Sequence, residues 1–127
     1  MDSSGVPDTT QFVNVAKDDA LAWPGKVYRD YPKTINDRME STIIPFTRKS
    51  VEVTNFMLEL FNERLGLPAG ALHARNNENE KCVSESRVIY QPIIEDDPSR
   101  VGIGSHTDFG TLVSSIHTVE SRESRCS

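Results

Sequence analysis

The chain is poor in the features that most often announce a function. Its two cysteines, Cys82 and Cys126, have no metal-binding spacing and make no disulfide framework, so a reduced cytoplasmic setting is expected. No apolar run approaches the ~18 residues of a membrane span, so no membrane is expected as a partner. The opening "MDSSGVPDTT" has no basic stretch ahead of an apolar core and does not read as a signal peptide. Basic residues number 14 against 19 acidic, a net charge of -5. Without clustered Lys and Arg, phosphate neutralisation fails and nucleic acid is excluded as a partner class. Apolar residues are scarce too: 36% of 127 residues, or roughly 41% with the 7 glycines, against the usual ~45–50%. Internal repeats are absent. The length suits one domain with a lean core.

What is present is a change of pattern along the chain. Residues 1–10 read as a disordered lead. Residues 11–22, "QFVNVAKDDALA", suggest a short helix packing Phe12, Val15 and Ala16. "WPGKVYRDYPKT", with Pro24, Gly25 and Pro32, reads as irregular chain laid over a core. A helical piece is expected over about 36–44, interrupted by Pro45. The clearest helix is 47–65, where Val53, Phe56, Met57, Leu60, Phe61 and Leu65 form one apolar stripe. "RLGLP" closes it, Gly66 taking the left-handed conformation and Pro68 preventing continuation. "HARNNENEKC", 73–82, reads as a surface loop with a solvated His73. From residue 83 the chain turns β-branched. "SRVIYQPII" favours a strand ending near Pro92, "VGIGSH" a second and "TLVSSI" a third. The expected class is α+β, helices first and antiparallel strands after.

The chemistry-bearing stretch is "GIGSHTDFGTLV", 102–113. His106 and Asp108 are two apart, and on an extended strand such residues share a face. One imidazole nitrogen and one carboxylate oxygen can then meet a single metal ion. A set of two His and one carboxylate with open positions selects non-haem Fe(II). Taken alone, H-x-D is a weak signal, and a surface turn with a His–Asp hydrogen bond uses the same residues.

The surroundings add weight. "RVGIGSHTDFGTLV" resembles the iron-binding segment of the 2-oxoglutarate/iron(II)-dependent dioxygenases, in the isopenicillin N synthase-like branch. "WPGKVYRDYPKTINDRM", the long helix ending "RLGLPAGAL", and "SRVIYQP" resemble the middle region of that family in order and spacing. The resemblance covers about 11–113, with a helical part at 11–72 and a strand part at 83–113. It implies a partial double-stranded β-helix, or jelly roll. It also implies an oxidoreductase that couples decarboxylation of 2-oxoglutarate to oxidation of a small, secondary-metabolite substrate. His106 and Asp108 match the first two iron ligands, so Fe(II) and 2-oxoglutarate are the implied cofactor and cosubstrate. Phe109, Gly110 and Thr111 match the turn behind them. Arg87 and Pro92 match a family strand that has a tyrosine where this chain has Gln91. Tyr90, one residue early, falls on the opposite face of the pleat.

The resemblance also implies a second His several tens of residues after the Asp, and beyond it an Arg-x-Ser that holds the far carboxylate of 2-oxoglutarate. Only 19 residues follow Asp108, so the expectation is a family domain truncated at both ends. His117 does not substitute. Across a hairpin turned at 109–110 it lies roughly 13 Å further along, at ~3.3 Å per residue, against metal–nitrogen bonds of ~2 Å. Residues 114–127 are Ser-rich and break from the preceding pattern, as a disordered tail of non-family origin does. The Arg-x-Ser matches within them, "RES" and "RCS", have the wrong spacing. Three functions follow as expectations: a dioxygenase with an incomplete site, inactive alone; a non-catalytic remnant or interaction module that self-associates through open sheet edges; and a small helical binding protein in which HTDFG is accidental.

Overall fold

The computed structural model describes residues 11–90 and 112–116. The elements run β1 (Gln11–Ala16), α1 (Lys17–Ala22), α2 (Lys33–Asn36), a π-helical turn (Met39–Ile43), α3 (Ile44–Arg64), a 3₁₀ turn (His73–Arg75) and β2 (Glu85–Tyr90). The α+β class holds. The expected order does not, because a strand comes first.

Residues 11–16 are strand rather than helix. "QFVNVA" has apolar residues that fit either period. Pairing decides. β1 runs antiparallel to β2, from Gln11 opposite Tyr90 to Ala16 opposite Glu85, and the Lys17 amide donates to Ser84 O at 2.9 Å beyond the ladder. Val15 and Ala16 are buried as expected, whereas Phe12 stays 58% exposed. The strand expected from residue 83 is therefore present, but its partner is the upstream β1 rather than a strand of the following chain. The second expected strand, 101–106, lies outside the described residues. So do the lead 1–10 and the tail beyond 116. Within the third, residues 112–116 carry no regular secondary structure.

Pro45 does not interrupt a helix; it stands in the first turn of α3. There its missing N–H would have no intrahelical partner anyway. The turn before it is wide. Ile43 N–H reaches back five residues to Arg38 O at 3.0 Å, as Thr42 N–H does at the shorter step, which is the form a helix takes where its ladder is disturbed. At the other end the expected stop is observed. Gly66 has φ +64°, Gly66 N–H bonds Glu63 O and Leu67 N–H bonds Asn62 O, both at 3.0 Å. That pair satisfies two carbonyls the helix leaves open.

The core is small. Val15, Ala20 and Met39 form its buried centre, with Trp23, Tyr31, Ile35, Ile43 and Ile44 packed around them. α3 packs on the π-helical turn, α1 and the 3₁₀ turn, but not through its apolar stripe. Its buried residues are Thr47, Leu58 and Asn62, while Val53, Phe56, Leu60, Phe61 and Leu65 are exposed. Asn62 explains part of this. Its amide donates to Leu67 O and Pro68 O and accepts from Leu72 N–H, fixing the chain that leaves the helix. Among the described residues, no helix is long and apolar enough to cross a membrane.

Candidate functional site

His106 and Asp108, the expected iron ligands, lie outside the described residues, as do Phe109, Gly110, Thr111, Gln91, Pro92 and His117. Of the residues singled out on the expected strand, Arg87 and Tyr90 are described. Arg87 Nε donates to Asn14 Oδ1 at 2.8 Å, and its guanidinium carbon stands 5.0 Å from the centre of the Phe12 ring. Tyr90 ends β2, exposed, opposite Gln11. His73 is exposed on the 3₁₀ turn, as expected, beside an open groove lined also by Leu58, Glu59 and Glu63. Among the described residues, no group of three or more His, Cys, Asp or Glu side chains is placed to hold a metal.

The densest polar chemistry that is described was not anticipated. It centres on Lys17, Asp18 and Asp19, where β1 passes into α1. Asp19 is only 2% exposed. Its Oδ1 accepts the amides of Val27 at 2.8 Å and Tyr28 at 2.7 Å. Its Oδ2 accepts the Tyr31 hydroxyl at 2.9 Å and the Arg29 amide at 3.3 Å. Tyr31 in turn accepts the Ala16 amide at 3.0 Å. Four donors fill the roughly four acceptor sites of a carboxylate. Burial pushes the Asp19 carboxyl up, but the amides of Tyr28, Val27 and Arg29 and the Tyr31 hydroxyl outweigh it, so its pKa is lowered. Burial raises the Tyr31 hydroxyl, and its bond to Asp19 adds to the rise against the opposing Ala16 amide.

Asp18 and Lys17 tie down the opposite side. Asp18 Oδ2 accepts the Tyr28 hydroxyl at 2.8 Å and the Cys82 amide at 2.9 Å. Its Oδ1 pairs with Lys17 Nζ at 2.8 Å. Lys17 is 7% exposed, and its ammonium also donates to Glu78 O at 2.6 Å and Glu80 O at 3.4 Å. Burial pulls Lys17 down and Asp18 up; the bond between them reverses both shifts, leaving Lys17 raised and Asp18 lowered.

This arrangement is structural rather than reactive. A carboxylate with every acceptor site occupied has none left for a proton or a metal. The adjoining cavity, bordered by Asp19, Trp23, Arg29, Tyr31, Asn36 and Met39, measures about 90 Å³, below the ~300 Å³ at which ligand pockets begin. The three side chains instead hold the 24–31 and 78–82 segments against α1, supplying partners to loop backbone that has no ladder of its own. The sequence signal for this was thin: two acids placed before a Pro-Gly turn. Which amides they meet depends on the path of the chain.

Tyr31→Phe isolates one link of this network. It removes the fourth donor to Asp19 and leaves the Ala16 amide without an acceptor. A loss of about 1–3 kcal/mol is expected, read as a lower urea midpoint with an unchanged slope.

A scan against family models, a search of curated proteins and a search of solved structures each returned no match.

Proposed function

We propose that this chain is part of a 2-oxoglutarate/Fe(II)-dependent dioxygenase domain in which His106 and Asp108 are two of the iron ligands. The observation that carries the reading is "RVGIGSHTDFGTLV". Further support comes from where the secondary structure falls. A long helix closes at "RLGLP" and a strand runs through "SRVIY", the element types the resemblance requires at those places. β1 and β2 then belong to a jelly roll of which further strands are needed. An imidazole nitrogen and a carboxylate oxygen two residues apart in sequence suit Fe(II). Iron held by His106 and Asp108 would supply open positions for 2-oxoglutarate and O₂ and so the oxidation of a small organic substrate. Within these 127 residues the distal His and the Arg for the far carboxylate of 2-oxoglutarate have no counterpart at workable spacing, so the chain by itself holds iron weakly and does not turn over.

The test is an anaerobic titration with Fe(II), followed by 2-oxoglutarate. Weak, saturable Fe(II) binding is expected, with at least a tenfold loss of affinity in His106→Ala, equivalent to about 1.4 kcal/mol. No visible charge-transfer band is expected on adding 2-oxoglutarate. Iron binding indifferent to His106→Ala would sink the proposal. A saturable band would show that a third ligand is supplied after all.

A second reading, a non-catalytic interaction module, is favoured by one observation: the apolar stripe of α3 lies exposed. His106→Ala separates the two, since an interaction module loses nothing by it.

A further inference from the structure

α3 is turned the wrong way round for a helix whose only partners are those described. At 100° per residue, Phe46, Val53, Phe56 and Leu60 fall within about 80° of one another along some 21 Å of helix. All four are exposed, Phe56 the most at 59%. On the opposite side, the inward residues Thr47, Leu58 and Asn62 are mostly polar. Among the described residues, Thr47 Oγ1 and Asn55 Oδ1 are buried without a hydrogen-bond partner. A stripe of this kind is far more apolar than a solvated helix face needs to be.

The charges along it say what covers it. Lys49, Phe56 and Glu63 stand seven residues apart and therefore form one row along the helix, with Phe56 in the middle. Rotating a second helix by 180° about an axis through Phe56 sets Phe56 on Phe56. The same rotation brings Lys49 of each helix opposite Glu63 of the other, at both ends of the contact. In antiparallel pairs, residues on the same flank of the two helices meet, so the geometry is consistent on both sides. Counted whole, the first half of α3 carries Arg48, Lys49 and Glu52 and the second Glu59, Glu63 and Arg64, so Lys49 and Glu63 are the pair that lies in the row of Phe56. Glu63 makes no ion pair among the described residues. Lys49 pairs only with Glu52, both exposed, and such a pair contributes little and exchanges freely.

We propose that α3 is the interface of an antiparallel, two-fold homodimer of this chain, with Phe56 on the axis and reciprocal Lys49–Glu63 pairs. The interface is isologous: each helix presents one patch that is complementary to itself. Two helices over this length bury less than the ~1,200 Å² of stable complexes, so the dimer is a weak one that dissociates on dilution. The inference stands apart from the iron reading and survives its failure. It also uses a different surface from the sheet edges expected to self-associate.

Sedimentation velocity across the micromolar range tests it. The wild-type chain should pass from monomer to dimer, and Phe56→Glu should remain monomeric. Lys49→Glu and Glu63→Lys alone should each weaken association about tenfold, by setting like charges opposite at both ends, whereas the double exchange should return it to within about threefold of wild type. All these positions are exposed, and an unchanged far-ultraviolet spectrum verifies that each variant folds. A wild-type monomer at every concentration overturns the proposal, as does association that survives Phe56→Glu, which would place the contact at the sheet. Failure of the double exchange to restore what the single changes lose overturns the antiparallel register. A species larger than a dimer overturns the closed two-fold.

Discussion

Asp19→Ala should abolish cooperative folding of the described domain. The change leaves three backbone amides and the Tyr31 hydroxyl without their acceptor at a site only 2% exposed. Each buried donor left unpaired costs about 1–3 kcal/mol, so the four together cost several kcal/mol even after relaxation. Whole domains have about 5–15 kcal/mol, so a loss of this size removes a large share of the stability. Urea unfolding followed through the fluorescence of Trp23, the single tryptophan, should show either no native baseline or a midpoint near zero. Asp19→Asn keeps the shape and one acceptor oxygen but points an NH₂ group at donors, so it should fall between Ala and wild type. A wild-type midpoint in Asp19→Ala would show that the network contributes nothing net.

The same network fixes the pH dependence. Asp18 and Asp19 have lowered pKa values in the folded chain. Their contribution is therefore complete above the ordinary carboxylate value of ~3.9 and is lost as pH falls through the folded values. Lys17 and Tyr31 are raised. Their contributions are complete below ~10 and lost as pH rises through the folded values. Wild-type stability should therefore be nearly flat between these limits. Asp19→Asn should shed part of the acid limb while keeping the portion that belongs to Asp18.

Met39→Ala should produce the next largest loss. Met39 is fully buried and sits where the π-helical turn presses the centre of the core against Val15 and Ala20. Truncating a buried Met to Ala costs about 2–5 kcal/mol, more where the site cannot collapse. Collapse is limited here, because Met39 already borders the 90 Å³ cavity beside Asp19 and the network around that carboxylate holds the walls apart. Met39→Leu keeps most of the volume and should cost under about 1.5 kcal/mol. Thermal unfolding of the pair should separate volume from chemistry: equal losses in both variants would mean that the shape of Met39, not its bulk, supports the core.

What could be read from the sequence was local, and it was read through residues whose effect does not depend on distant partners. Gly66 and Pro68 stop α3 because of their own backbone preferences. "SRVIY" forms a strand because β-branched and aromatic side chains fit a pleat. The proposal of iron at HTDFG rests likewise on the identity and spacing of His106 and Asp108, which lie outside the described residues. The tertiary structure decided whatever depends on residues brought together from far apart. It made 11–16 a strand, because β2, far along the chain, pairs with it from Gln11 opposite Tyr90 to Ala16 opposite Glu85. It placed Pro45 inside α3 rather than at a break, because the preceding turn widens to admit it. It turned the apolar stripe of α3 outward, because periodicity marks which residues share a face but not which face meets the core. And it made Asp19 a latch, because the amides it holds come from a loop whose course no spacing in the sequence encodes.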